Sequence, residues 1–203
     1  MLSSFHNNYG VVLLAAGKSS RLGKAKQLLD FKGRSLIKRA ALIALEISDK
    51  LIVVGGAQEE KIKEELAGLN VFICSNKNYE QGIASSIHAG LITMQEKLPQ
   101  INAVIFIVCD QPFISASLLK ELVEVSELEN KGIAASSYGG TVGTPVLFQK
   151  KYFSDLLQLE GDQGAKRIIQ NNLDDVATVD FPEGIMDIDT MEDYEALGNL
   201  PYT

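Results

Sequence analysis

The stretch that most restricts what this chain can fold into is residues 11–26, VVLLAAGKSSRLGKAK. Its first five or six residues are apolar and rich in Val and Leu, the length and composition of a strand buried on both faces, as in a parallel sheet. The run stops at Ala15-Ala16-Gly17, small residues that let backbone N–H groups approach a ligand without side chains in the way. Lys18, Ser19, Ser20, Arg21, Gly23, Lys24 and Lys26 follow at once. A strand end of this kind suits a triphosphate, its base beside Leu14–Gly17 and its phosphates reaching into the basic loop. A solvated turn has the same composition, and on composition alone the two readings stand level. Neither the Walker spacing nor the G-x-G-x-x-G dinucleotide spacing occurs.

Charge sharpens the contrast. The chain carries 19 Lys and Arg against 26 Asp and Glu, a net charge of −7, yet its positive charge is concentrated at residues 18–26. An acidic protein without a basic stripe elsewhere is a poor partner for nucleic acid. No apolar run reaches the ~18 residues of a membrane span, and no basic segment followed by an apolar core opens the chain. The expectation is a cytoplasmic protein with no membrane partner, folded as one domain over residues 1–203 with residues 1–9 a polar, disorder-prone lead-in. Cys74 and Cys109 end apolar runs and read as small buried hydrophobes, with no C-x-x-C to suggest zinc.

The remaining elements follow in β-α-β order. Ser35 can cap a helix running to about Ile47, Leu51–Val54 is a strand ending in Gly55-Gly56, residues 59–66 are helical, and Val71–Cys74 is a third strand. Residues 103–109 form the most apolar strand and belong at the centre. Helix 118–125, a strand at 132–136 and the strand Gly143–Phe148 complete the pattern. Continuous apolar strands separated by helices predict a three-layer α/β/α, mostly parallel, Rossmann-like sheet, with ligands at the carboxyl ends of its strands.

The signature loop, Gly55-Gly56, Cys74-Ser75-Asn76 and Asp110 would all fall on that edge, and three groups of residues carry chemistry. Gly82, Ser85 and Ser86 open a helix, where hydroxyls and the helix dipole favour an anion, though serines in a first turn can simply face solvent. Asp110 ends the central strand, where a carboxylate needs a positive partner such as Mg²⁺ or serves as a cap. Asp187 and Asp189 alternate on what reads as a short strand and could share a cation, with helix-dipole pairing as the competing role. Thr190-x-x-Asp193 is a capping box.

The pattern L-A-A-G-x-S-x-R-L-G-x-x-K-Q-L-L, from Leu14 to Leu29, resembles the signature of the MobA-like nucleotidyltransferases, and among them the molybdenum-cofactor cytidylyltransferases; guanylyltransferases usually carry L-A-G-G where this chain has Ala16. Gly82–Gly90, Asp110-Gln111-Pro112, Gly143–Phe148, Leu159–Lys166 and Asp187–Thr190 are similar to the family's later motifs. Lys166 stands where arginine is usual, which keeps a cation but loses the bidentate fork, and Met191 replaces a proline. The resemblance implies the nucleotide-diphospho-sugar transferase type of sheet. It also implies transfer of CMP from CTP to the phosphate of molybdopterin, with pyrophosphate leaving.

Arg21, Lys26 and Asp110 would then be catalytic. Leu14, Ala15, Ala16, Gly17, Lys18, Ser19, Arg21, Lys26, Gly82, Ser85 and Ser86 would bind nucleotide, and Asp110 and Asp189 would hold Mg²⁺. Gly143, Pro145, Asp162, Lys166 and Asp187 would lie on the acceptor side, and a molybdoenzyme of the xanthine dehydrogenase type would receive the product. Three alternatives stay open: a sugar-phosphate nucleotidyltransferase, a guanylyltransferase, and a non-catalytic carrier of the cofactor.

Overall fold

The structure, a computed structural model, describes residues 8–17 and 25–198. In chain order these form β1 (Tyr9–Leu14), β2 (Asp30–Phe31), β3 (Arg34–Ser35), α1 (Leu36–Leu45), β4 (Leu51–Gly55), α2 (Glu59–Glu65), β5 (Phe72–Ser75) and α3 (Ile83–Lys97). They continue with β6 (Ala103–Val108), α4 (Ala116–Leu128), β7 (Ile133–Tyr138), β8 (Thr141–Gln149), α5 (Phe153–Leu156), α6 (Lys166–Asn171), β9 (Val176–Asp180) and α7 (Met191–Gly198). Tyr9 and Gly10 already belong to β1, so the expected lead-in is shorter than nine residues: the Tyr9 hydroxyl donates to the Ile47 carbonyl at 2.9 Å and anchors the strand's start. The first seven residues lie outside the described ones.

Among the described residues the main sheet has seven strands in the order β5-β4-β1-β6-β8-β7-β9. β1 pairs in parallel with β4 on one side and β6 on the other, while β8 runs antiparallel to both β6 and β7. The chain thus builds outward from β1 through β4 to β5 and then returns to β1's other side. That reversal opens a crevice at the carboxyl ends of β1 and β6, the place where open α/β sheets bind ligands.

Alternation along β1 explains the layers. Val11 and Leu13 face one cluster, with Ile37 and Ala41 of α1, Ile62 of α2 and Leu119 of α4. Val12 and Leu14 face the other, with Ile87 and Leu91 of α3 and Ile169 of α6. Both faces are dry, and this is why the strand reads as an unbroken apolar run. Burying each such Val or Leu contributes roughly 1.5–3 kcal/mol. Ser35 caps α1 by accepting from the Lys38 N–H, as its sequence position suggests. Lys32 and Gly33, both at positive φ, close the β2–β3 hairpin before it. A third small cluster (Leu29, Phe31, Leu36, Ile188 and Leu197) seats the C-terminal α7 against this hairpin. That docking brings the end of the chain back to the exit of the signature loop.

Candidate active site

β1 ends in three residues whose carbonyls are all engaged. The Ala15 N–H donates to Val54 O at 3.0 Å, and Ala57 N–H donates to Ala16 O at 3.3 Å. This contact requires glycine at 56, because a Cβ there would lie 2.5 Å from Ala16 O. The carbonyls of Ala15 and Gly17 accept from the Gln27 side chain, at 2.9 and 2.7 Å. Lys18, Ser19 and Arg21, expected to hold phosphates, lie outside the described residues.

The chain re-enters the crevice in a short 3₁₀ turn, Lys26–Leu28. Lys26 Nζ lies 2.7 Å from Asp110 Oδ2 and 2.9 Å from Asp189 Oδ1, and also donates to Ile188 O at 3.1 Å. These partners stand 84 and 163 residues away in sequence. Asp110 is placed by β6, whose buried run ends in Cys109, and Asp189 by a backbone bond from Ile188 N–H to Asp110 O. Arg39 secures the turn after Asp110 by donating to Pro112 O at 3.0 Å. Burial works against the Lys26 ammonium, but Asp110 and then Asp189 more than compensate and hold its pKa above the ordinary lysine value. Lys26 is therefore a fixed positive charge.

Asp187 behaves differently. The segment Met186–Asp189 is not a strand, contrary to the sequence expectation. It has no ladder beyond the single Ile188 bond, so nothing holds it in strand pairing. Ile188 still turns inward, fully buried, between an exposed Asp187 and a half-buried Asp189. Burial, then the charges of Asp189 and Asp110, raises the Asp187 carboxyl above its ordinary pKa. The capping box forms as expected: Asp193 Oδ2 accepts from the Asp189 and Thr190 N–H groups and the Thr190 hydroxyl, and Thr190 Oγ1 accepts from Asp193 N–H.

Gly82, Ser85 and Ser86 sit at the start of α3, but their groups are turned to neighbours. Asn76, 5% exposed at the end of β5, donates to both serine hydroxyls at 2.9 and 3.0 Å, and Ser85 in turn donates to Gly82 O. The Ala84 N–H is taken by Gly161 O at 3.1 Å. Gly82, at φ 98°, has no room for a Cβ against that carbonyl. The loop carrying Asp162 is thereby stitched to α3.

Gly143 and Lys166 line one cavity of about 380 Å³ together with Leu14, Ile83 and Tyr138. Pro145 lies behind it, its carbonyl accepting from the buried Ser136 hydroxyl at 2.8 Å. Asp162 is exposed, and Arg167 pairs with Gln163 at 2.6 Å. A larger cavity, about 450 Å³, opens at the opposite sheet edge beside Tyr9 and Asn102, away from this constellation.

Cys109 is buried, and burial, then the Asp110 charge, pushes its thiol up to about 12, so it packs as a neutral hydrophobe. Cys74 is half-buried and free, with its sulfur on Ala89 O and the Thr93 hydroxyl. Among the described residues no three His, Cys, Asp or Glu side chains converge as a metal site. Asp110 and Asp189 nonetheless aim two oxygen donors at one positive centre. That donor set suits Mg²⁺, which asks for one or two carboxylates and completes its shell with water and phosphate. Gln27, within the signature stretch, and Asn76, expected on the carboxyl edge, have no role assigned from sequence. Each satisfies main-chain or hydroxyl groups that only the fold brings within reach.

Residues 11–176 match the MobA-like NTP transferase domain family. The chain belongs to that family. This MobA-like transferase is 23% identical over 184 residues to the molybdenum cofactor cytidylyltransferase of Escherichia coli (strain K12), spanning 90% of this chain and 92% of the other. The crystal structure of the Rv0371c homologue from Mycobacterium sp. strain JC1 is 30% identical, with a TM-score of 0.78 over 93% of this chain and 94% of that one. Rv0371c of Mycobacterium tuberculosis H37Rv in complex with manganese shares the fold, with a TM-score of 0.73 at 23% identity over 94% and 97% of the two chains. Among the described residues of the MobA-like chain, no helix is long and apolar enough to cross a membrane.

Proposed function

We propose that this nucleotidyltransferase moves CMP from CTP to the phosphate of molybdopterin and releases pyrophosphate. The observation that carries the reading is Lys26, held between Asp110 and Asp189 at the carboxyl ends of β1 and β6. The E. coli relative, a cytidylyltransferase, supports CTP over GTP as donor. So does Ala16 in place of the second glycine.

An acceptor phosphate oxygen attacks the α-phosphorus, the new P–O bond forms as the bond to the pyrophosphate oxygen breaks, and negative charge moves onto the leaving group. No general base is required, because the attacking phosphate is already anionic. Catalysis is then alignment and charge neutralisation. The backbone of Ala15–Gly17 lies along the nucleotide, Lys18, Ser19 and Arg21 contact the triphosphate, and Lys26 neutralises charge gathering on pyrophosphate. Gly82, Ser85 and Ser86 border the base and ribose. Asp110 and Asp189 would hold Mg²⁺, which supplies charge neutralisation at the phosphates when bound. Gly143, Pro145, Asp162, Lys166 and Asp187 border the acceptor, with Lys166, which lines the 380 Å³ cavity, as its phosphate contact. The reaction belongs in the cytoplasm, ahead of a molybdoenzyme of the xanthine dehydrogenase type.

The test is pyrophosphate release in Mg²⁺ with CTP, GTP, ATP and UTP in turn, each with and without molybdenum-loaded molybdopterin. Release from CTP only when the pterin is present is the expected result. Release with GTP, or with a sugar phosphate as acceptor, overturns the substrate assignment. Tight nucleotide binding with no release from any pair identifies a carrier instead.

A further inference from the structure

Gln27 belongs to the signature stretch, yet the proposed reaction gives it no task. It is one of the most deeply buried polar side chains described, 2% exposed. A buried carboxamide is tolerated only when bonded, and here it reaches back 12 and 10 residues to the carbonyls of Ala15 and Gly17. The intervening carbonyl, of Ala16, turns to the Ala57 N–H. Three successive carbonyl oxygens at the end of β1 thus each have an internal donor, and two depend on one side chain.

This matters to a polyanion. A carbonyl oxygen is the negative end of a peptide dipole, so an oxygen facing the crevice would repel a triphosphate. In a trans peptide the N–H points opposite to the C=O. Fixing the Ala15 carbonyl on Gln27 therefore also fixes the direction of the Ala16 N–H. The next residue back, Lys26, reaches instead to Asp110 and Asp189. One short turn therefore sets both the orientation of the loop's peptides and the position of its cation.

We propose that Gln27 is a positioning residue for the nucleotide: its buried carboxamide withdraws the Ala15 and Gly17 carbonyls from the crevice, so that the strand end meets the triphosphate with N–H groups. The inference rests on the nucleotidyl-transfer reading above.

The test replaces the donors and keeps the volume. Gln27→Met retains length without N–H groups, and Gln27→Glu sets an anion against the two carbonyls. CTP affinity is measured by calorimetry in Mg²⁺ buffer, with steady-state KM and kcat, at a temperature where circular dichroism shows each variant folded. The expected result is CTP binding weaker by about tenfold in Gln27→Met and by more in Gln27→Glu. KM for CTP rises in parallel, and KM for the acceptor is unchanged. Variants that lose thermal stability but keep the wild-type CTP affinity and KM reduce Gln27 to a structural residue and overturn the inference.

A measurement on the wild-type protein guards against variants that fail to fold. In ¹⁵N NMR spectra, CTP is expected to shift the Ala16 amide while both Gln27 side-chain protons stay protected from exchange. Rapid exchange of those protons, or an unresponsive Ala16 amide in protein that binds CTP, overturns the inference with nucleotide binding intact. Wild-type protein that binds no nucleoside triphosphate overturns both readings.

Discussion

At opposite edges of the sheet a lysine meets aspartate, and the two meetings differ in how their charges add up. At the amino-terminal edge Lys151 Nζ lies 2.6 Å from Asp175 Oδ2, Tyr152 donates its hydroxyl to the same oxygen, and the Gly132 N–H donates to Oδ1 at 3.0 Å. One cation meets one anion, and both carboxylate oxygens have partners. Burial opposes the Asp175 charge, but Lys151, Tyr152 and Gly132 prevail and hold its carboxyl below the ordinary value. At the carboxyl edge Lys26 meets two aspartates and a backbone carbonyl, with Asp187 near enough to feel both carboxylates. A neutral, saturated pair acts as a latch. A lysine shared between two carboxylates in the crevice is, on the proposed function, the reaction centre.

The sharpest way to break this contrast is to remove each lysine–aspartate pairing in turn. Lys26→Met should lower the rate of transfer by about 10²–10³-fold, the usual loss when one preorganised donor to developing charge is removed. Asp175→Asn should leave that rate within about twofold, as read by pyrophosphate release. Equal losses in the two variants would erase the distinction.

Stability should sort the other way. Asp175→Asn is expected to cost about 1–3 kcal/mol in urea denaturation, because the Lys151, Tyr152 and Gly132 groups lose a charged acceptor. The sign with pH is fixed by the depressed folded pKa. The stabilisation is fully present above the unfolded carboxylate pKa and is lost as pH falls through the folded one, so wild type and variant should converge in acid. A gap that persists there would contradict the latch.

The smallest effect belongs to Asp187. Its folded pKa is raised, so ionising it costs the folded state, and stability declines as pH rises through that value. Asp187→Asn should raise the melting temperature by about 1–2 °C at neutral pH in metal-free buffer, with the gain vanishing below the ordinary carboxylate range. A drop at neutral pH would mean that the three carboxylates do not strain one another.

Much of the fold was legible because β1, β4 and β6 are buried on both faces, which leaves an unbroken apolar run in the sequence. β5 was harder to bound: read at 71–74, it lies at Phe72–Ser75 and leaves Phe72 exposed at the sheet edge. β9 escaped notice because its residues alternate between buried and exposed in the short run VATVD. The antiparallel insertion of β8 between β6 and β7 depends on pairing that no local pattern records. In the site, Asp110 was legible as a carboxylate ending a buried strand, and the capping box fixed the start of α7. That Lys26 would stand between Asp110 and Asp189 was not legible, since it takes the end of β6, the turn at Lys26 and the segment ahead of α7 to meet, held in part by the Ile188 N–H on Asp110 O. Gln27 was hidden for the same reason: its partners are main-chain carbonyls, which every sequence has.

The most direct test is single-turnover pyrophosphate release from CTP and molybdenum-loaded molybdopterin, run side by side on wild type, Lys26→Met and Asp175→Asn. Release by wild type and Asp175→Asn at similar rates, with Lys26→Met slowed by about 10²-fold or more, is the expected result. Release by Lys26→Met at the wild-type rate would show that the chemistry lies elsewhere in the molecule.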